Sequence, residues 1–472
     1  MTGRRMVAAA VGILALAVSG ASMAAVQRSR AAPPPVAAAG TTVAVRSALL
    51  ACPQSPTDRS TRARLIAVAP PGGSAGSVGV DAFGAPPAQQ LADATSPGAT
   101  LSRKLVHDRQ VPAVLVRGSG GGAPGLTAAQ WSTYSGPAHS GLAASWCLAP
   151  ATSWWFAGVS TRIGTTSQLV VSNPSPALAV FDVQLFGHRG AIDAVGARGI
   201  GVAPHSRTVL DLARFAPSRA ALTLHVIATT GRVAAAVRTT SLRGITPVGS
   251  EWVPPAAQPA PRALVGPAPG GRLHRQLVVT NPGDRQAVVS LRFAERAGTF
   301  TSTKVRDLSI PPGGVVTRNI EPALGTAAGA LRLTSNVAVT AAVVETTEHG
   351  PRDFAIAPAS VAIGPPAVVP LPRGLHAVLT LVDAGERGTG VKLTAFGARG
   401  RQLAQQQLAL PAGSTRSWRP GKLQGARYLV VSPSAGSSVY GVVAYSSAAG
   451  VAALPLMSSP RSLVRPPVRP AW

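Results

Sequence analysis

Apolar and polar residues alternate over short stretches along most of the chain, and one such stretch recurs. Residues 168–174 read QLVVSNP and residues 276–282 read QLVVTNP, while residues 379–383, LTLVD, form a worn third copy. Each is followed at the same distance by a second strand with apolar positions two apart. These are Phe181, Val183 and Leu185; Val289, Leu291 and Phe293; and Val391, Leu393 and Ala395. A period of two is that of a strand with one face in a core and the other in water. The residues between them (Asp182 and Gln184, Ser290 and Arg292, Lys392 and Thr394) supply the wet face. Asn173-Pro174 and Asn281-Pro282 are turn chemistry, with Asn opening the turn and Pro fixing φ; Asp383-Ala384 replaces them in the third copy.

The repetition predicts three β-sandwich repeats, at residues 154–248, 263–363 and 375–454. A unit near 100 residues with about seven short alternating strands is immunoglobulin-like by pattern and too long for a propeller blade or solenoid repeat. Two Pro-rich stretches, residues 253–261 and 364–374, read as stiff linkers. Upstream, residues 42–150 form a separate β domain in which RARLIAVAP, GSVGV and VPAVLVRG are strands and LTAAQWSTYSG is a short helix or a loop. Residues 27–41 read as a Pro/Ala linker and residues 458–472 as a disordered Arg/Pro-rich tail. The expected class is therefore all-β, with tandem immunoglobulin-like sandwiches after an N-terminal helix.

That helix sets the compartment. Arg4 and Arg5 precede an apolar run over residues 6–26, and Ser22-Met23-Ala24 fits a small-x-small cleavage site. Residues 1–26 are thus a cleaved signal peptide or, at a length of about 20 apolar residues, an uncleaved signal anchor. Both readings export the remainder, to be secreted or held at the membrane. The chain has 2 cysteines, Cys52 and Cys147, and an even count in an oxidising compartment reads as one disulfide.

The formal net charge of +27 would ordinarily suggest nucleic acid. However, the lysines are few (Lys104, Lys304, Lys392 and Lys422) and the arginines are scattered singly, without the aromatic interleaving that stacks bases. No nucleic-acid partner is expected. Such a field outside the membrane instead attracts anionic lipid or anionic wall polymers.

No catalytic constellation stands out. Residues 72–76, GGSAG, fit G-x-S-x-G around Ser74, but a nucleophile elbow needs a helix next, and SVGV is a strand. The glycine run at residues 118–122 lacks the Lys-Ser/Thr of a phosphate loop. The histidines form no i, i+2 or i, i+4 pair; His225 alternates with Thr223 onto an outward strand face. The 17 carboxylates are dispersed, without a calcium-type cluster. No metal or cofactor is expected. Trp154 and Trp155 could form a carbohydrate-stacking platform, although an opening strand more often uses such residues for core and junction packing.

WWFAG, QLVVSNPSPALAVFDVQLFG and VAPHSRTVLDL, with SLRGITP and EWVPPA marking a junction between modules, resemble an exported actinobacterial family of unknown function. The resemblance implies a membrane segment, a cysteine-bearing first region and tandem immunoglobulin-like modules, and it implies no site residues. The expected function is a non-catalytic envelope scaffold that works through a protein partner. The alternative is a binding module for wall polysaccharide or an anionic polymer, and a serine hydrolase using Ser74 is a distant third.

Overall fold

The computed structural model describes residues 41–54, 56–72, 74–83, 90–108, 113–348, 352–364, 366–420 and 423–465. The expected signal or anchor at 1–26 and nearly all of the expected linker at 27–41 lie outside them. β1 (Thr41–Ala44) pairs with β35 (Ser462–Arg465) in a two-stranded sheet belonging to a small unit of its own. Part of the stretch expected to be a disordered tail is therefore a strand.

The described residues of the larger unit, Ala44–Arg461, are built from strands, with a 3-10 turn at Leu212–Arg214 and a one-turn helix at Glu321–Leu324 among them. One topology is built four times. The first module comprises β2 (Ser47–Ala51), β3 (Thr61–Val68), β4 (Gly76–Phe83), β5 (Gln90–Thr95), β6 (Leu101–Leu105), β7 (Ala113–Gly120), β8 (Thr127–Gly136) and β9 (His139–Trp146). They form sheets β2-β7-β4-β5 and β6-β3-β8-β9. The second comprises β10 (Ser153–Val159), β11 (Thr165–Asn173), β12 (Ala179–Gly187), β13 (Gly190–Ile192), β14 (Ile200–Val202), β15 (Ser206–Asp211), β16 (Leu222–Thr230), β17 (Ala234–Arg243) and β18 (Thr246–Val253). Its sheets, β10-β16-β12-β13 and β15-β11-β17-β18, repeat the order.

The third module comprises β19 (Ala260–Ala268), β20 (Leu273–Thr280), β21 (Ala287–Glu295), β22 (Gly298–Phe300), β23 (Leu308–Ile310), β24 (Val315–Asn319), β25 (Gly329–Thr347) and β26 (Phe354–Ser360). Here the 19-residue β25 serves both layers: its first half pairs with β19 and β21, its second with β20 and β26. The fourth comprises β27 (Ala367–Pro370), β28 (His376–Asp383), β29 (Thr389–Phe396), β30 (Gln402–Leu410), β31 (Thr415–Trp418), β32 (Tyr428–Pro433), β33 (Val439–Ser447) and β34 (Gly450–Pro455), in sheets β27-β32-β29-β30 and β31-β28-β33-β34. Each module wraps its two sheets around a shared apolar core, led by Leu65 and Val80, by Phe156 and Phe181, by Leu277 and Phe293, and by Leu381 and Leu393.

The sequence boundaries need correction. SLRGITP and EWVPPA are no junction: they form the β17–β18 hairpin, with Arg243 opposite Thr246, so a repeat ending at 248 cuts a strand. A last repeat starting at 375 omits β27, which lies inside the stretch read as a linker. LTAAQWSTYSG is strand β8 rather than a helix or loop. The recurrent Asn does more than open a turn. Asn281 Nδ2 donates to the carbonyls of Arg285, Ile310 and Pro311 while its Oδ1 accepts from Gly283 N, and Asn173 does the same in the second module. Asp383 keeps the acceptor contact, from Gly385 N, but has no amide with which to donate.

The modules close into a ring. Their final strands pack in the cycle β9, β18, β26, β34 and back to β9. These strands align as GLAASW, GSEWVP, DFAIAP and GVAALP, placing Gly141, Gly249, Asp353 and Gly450 in one layer. The three glycines leave room for one carboxylate. A Cβ on Gly141 would lie 2.5 Å from Asp353 Oδ1, and one on Gly249 2.6 Å. Asp353 is fully buried, and its Oδ2 accepts from Leu142 N and Val451 N, both at 2.9 Å. The amides of Phe354 and Ser250 also favour its charged form, so all four final strands aim an amide at it, although Oδ1 has no hydrogen bond of ordinary geometry. Two residues on, Ala143, Ala355 and Ala452 make room for Glu251, whose Oε1 accepts from Ala144 N at 3.0 Å and Trp252 N at 2.8 Å.

Candidate anion-binding groove

The outer face of sheet β6-β3-β8-β9 turns toward the fourth module. The alternation of β3 puts Ala63 and Leu65 in the core and Arg62 and Arg64 outside. In the ladder Arg64 lies opposite Lys104 on one side and Trp131 on the other, and Arg62 lies opposite Thr133. Like charges directly opposite on one face destabilise a sheet. Arg62 and Lys104 are exposed and Arg64 is half-buried.

These residues line a cavity of about 620 Å³ together with Arg59, His107, Leu142 and, from the fourth module, Arg373 and Leu375. A second cavity of about 530 Å³ shares Arg373 and Leu375 and adds His376, Arg419 and Arg427. Among the described residues no carboxylate lines either one. Among the described residues none of these arginines, nor Lys104, forms a salt bridge. Asp58, beside Arg59, is committed to Ser60, Thr61 and His139. Burial, and then the neighbouring Arg373 charge, hold the Arg427 guanidinium below its ordinary value. The result is a wall of cations facing cations, with no carboxylate among the described lining residues. At the floor Trp131 packs edge-on against Tyr445 at 5.3 Å, and its indole N–H has no acceptor. Arg62 and Arg64 are two apart in RARLIAV, the one signal in the sequence that could have shown a basic strand face.

Cys52 and Cys147 are bonded across a separation of 95 residues. Cys52 N donates to Val114 O and Cys147 N to Ala128 O, so the bond ties the two sheets of the first module together. A disulfide suggests an oxidising, extracytoplasmic environment. Trp146, beside it, faces the fourth module, where its Nε1 donates to Pro455 O at 2.8 Å.

Neither tryptophan of the pair at β10 offers an open face for a sugar. Trp155 is 4% exposed, stacked on His225 at 3.9 Å and on Phe186 at 5.7 Å, and its Nε1 donates to Gln258. Trp154 is half-buried between cores and donates to Val233 O. The face carrying His225 and Thr223, expected to be wet, is an interface: Thr223 is fully buried and bonds Thr280 of the third module. Burial pushes the His225 imidazole down to about 4. Ser74 lies exposed in the turn before β4, against the backbone of Gly121, with a strand where an elbow needs a helix. Among the described residues no group of three His, Cys, Asp or Glu side chains could hold a metal ion, and no helix is long and apolar enough to cross a membrane.

A family model described as "Family of unknown function (DUF5719)" matches residues 105–421, from the end of β6 to the fourth module. The chain belongs to this family. DUF5719 has no assigned chemistry to lend to the groove, and its match takes in Trp131 and Arg373 but begins after Arg62 and Arg64. No curated protein matches the chain. Among solved structures, Streptomyces avermitilis alpha-L-rhamnosidase complexed with L-rhamnose is 11% identical over 84% of this chain. This chain covers 57% of that one, at a TM-score of 0.12, which carries no argument.

Proposed function

We propose that this protein is a non-catalytic, extracytoplasmic component of the cell envelope, exported by its N-terminal segment, whose groove between the first and fourth modules binds an anionic polymer. In this reading each module is an immunoglobulin-like sandwich, and the ring is a rigid frame that sets two cationic faces opposite each other. The observation that carries it is the unneutralised pairing of Arg64 with Lys104 on one sheet face, opposite Arg373. A fold gains nothing from cations held that way, whereas a polyanion recovers the repulsion as binding energy. The test is equilibrium binding of the purified protein to a charged and a neutral polymer of equal length. The anionic polymer should bind with affinity that falls steeply with salt, and the neutral one should not bind. Equal binding of both would sink the proposal.

A scaffold reading, with a protein partner, draws on a different observation. Ile163 is 93% and Ile245 92% exposed. Their loops lie side by side, since Leu242 N donates to Gly164 O at 2.6 Å. An Ile163→Ser, Ile245→Ser variant should lose any partner captured by crosslinking in the native membrane.

A further inference from the structure

Resting on the groove reading above, we infer that the ligand is a phosphodiester-linked polymer rather than an acidic polysaccharide. A uronic-acid chain carries each charge on a sugar ring, and sugar rings are recognised by open aromatic faces and by neutral or acidic side chains that bond hydroxyls. Among its described residues the groove offers no open Trp, Tyr or Phe face and no acidic side chain. Trp131 is 4% exposed and its ring is taken by Tyr445. Among the described residues the uncharged polar side chains lining the first cavity are Thr61, His107 and Thr133, and no Asn, Gln, Asp or Glu is among them.

What the groove supplies above all is cationic donors. Guanidinium forks from Arg59, Arg62, Arg64 and Arg373 and the Lys104 ammonium all offer donors to acceptor oxygens. Phosphodiester oxygens are acceptors only, and Arg binds them bidentately. The charge is on both walls. Arg62 and Arg64 lie on one strand about 6.6 Å apart, and Lys104 lies one strand over at about 4.8 Å. Arg373 and Arg427 stand on the facing module. A chain with backbone charge can thread between such walls, whereas the flat surface of a bilayer cannot reach the floor. The second cavity extends the path toward Arg419, so the site suits a run of charges better than a single phosphate.

The experiment measures binding of the purified full-length protein to poly(glycerol phosphate), to polygalacturonate of matched charge and to phosphatidylglycerol vesicles across a salt series. Poly(glycerol phosphate) should bind at least tenfold more tightly than polygalacturonate. The Arg62→Gln, Arg64→Gln, Lys104→Gln variant should weaken it at least tenfold. Its log–log salt slope should fall by about 2, since each lost contact to a single-stranded polyanion removes about 0.7. Arg373→Gln tests the opposite wall and should act in the same direction. Melting temperatures no lower than that of the wild type show that the variants are folded. Equal affinity for polygalacturonate overturns the phosphate assignment and leaves the groove reading intact. Binding to vesicles without the polymer assigns the phosphate to lipid and also overturns the inference. If no probe binds, or the triple variant binds like the wild type, the groove reading itself falls.

Discussion

The buried carboxylate at the centre of the ring predicts an unusual pH dependence. Burial pushes Asp353 up to about 7, against the opposing pull of the amides of Leu142, Val451, Phe354 and Ser250. The folded pKa thus lies above the unfolded one, whose ordinary value is 3.8. The folded state holds a proton over the interval in which the unfolded chain has lost it. The stability from this group is fully present below about 4 and is lost as pH rises through about 7. Each pH unit in that window is worth about 1.4 kcal/mol. Between pH 5 and pH 7, where the curve flattens, Asp353 alone contributes a fall of about 2 kcal/mol, and by pH 8 nearly 3.

Two other buried acids act in the same direction: Glu251, which burial raises well above its ordinary value, and Glu345, which burial raises to about 7 despite Arg275. The wild type alone therefore cannot isolate the effect. Asp353→Asn can, because its carbonyl keeps the two bonds made by Oδ2 and never ionises. Guanidinium unfolding of both proteins at pH 5 and pH 8 gives the four free energies needed. The wild type should lose about 3 kcal/mol more than the variant on going to pH 8. Asp353→Ala should be less stable than the wild type at pH 5 by about 2–6 kcal/mol, since it leaves two buried amides without acceptors at about 1–3 kcal/mol each. Parallel pH profiles for wild type and Asp353→Asn would refute the argument, because the carboxylate would then titrate alike in both states.

Three further perturbations test the frame. Replacing Cys52 and Cys147 by Ser should cost about 4–5 kcal/mol, the chain-entropy value for a loop of this length, read as a lowered denaturation midpoint. Arg275→Leu should cost about 3–5 kcal/mol, because fully buried Arg275 binds Glu345 and the carbonyls of Pro269, Gly325 and Ala327, and its loss strands Glu345. Trp155→Ala should cost about 3–5 kcal/mol and raise the His225 pKa, followed by NMR titration, as the ring loses its cover.

Strand identity was legible because a period of two over Phe181, Val183 and Leu185 admits little else. Module boundaries were not. Pro370 falls within β27, in the stretch read as a linker, and only the ladder partners show that β27 is an edge strand. The first module went unrecognised as a fourth copy because its repeat motif, RLIAVAP, lacks the Asn. Without it, the alignment of GLAASW with GVAALP was invisible, and so was the glycine layer around Asp353. The groove eluded the sequence for a different reason. Arg64 and Arg373 are remote along the chain, and only ring closure brings them to one cavity.

That closure explains why the groove lies where it does. Consecutive modules are joined by connectors of equal length, residues 147–152, 254–259 and 361–366, and the short tether holds each pair together. The fourth and first modules have no such tether. They meet through Trp146 on Pro455 O, through Tyr428 Oη on Gly98 O at 2.9 Å, through Thr100 N on Ala398 O at 2.8 Å, and through the shared core around Trp131 and Tyr445. This is the interface with the least covalent help, and it is also the one where both walls carry unpaired cations. Repulsion there works against closure in the free protein, and a polyanion between the walls reverses its sign. Binding should therefore stabilise the closed ring beyond the ordinary linkage gain, which is about 2.7 kcal/mol at a hundredfold excess over Kd. Hydrogen exchange should show that excess as added protection in β9 and β34, the final strands of the two untethered modules, with no matching change in β18 and β26.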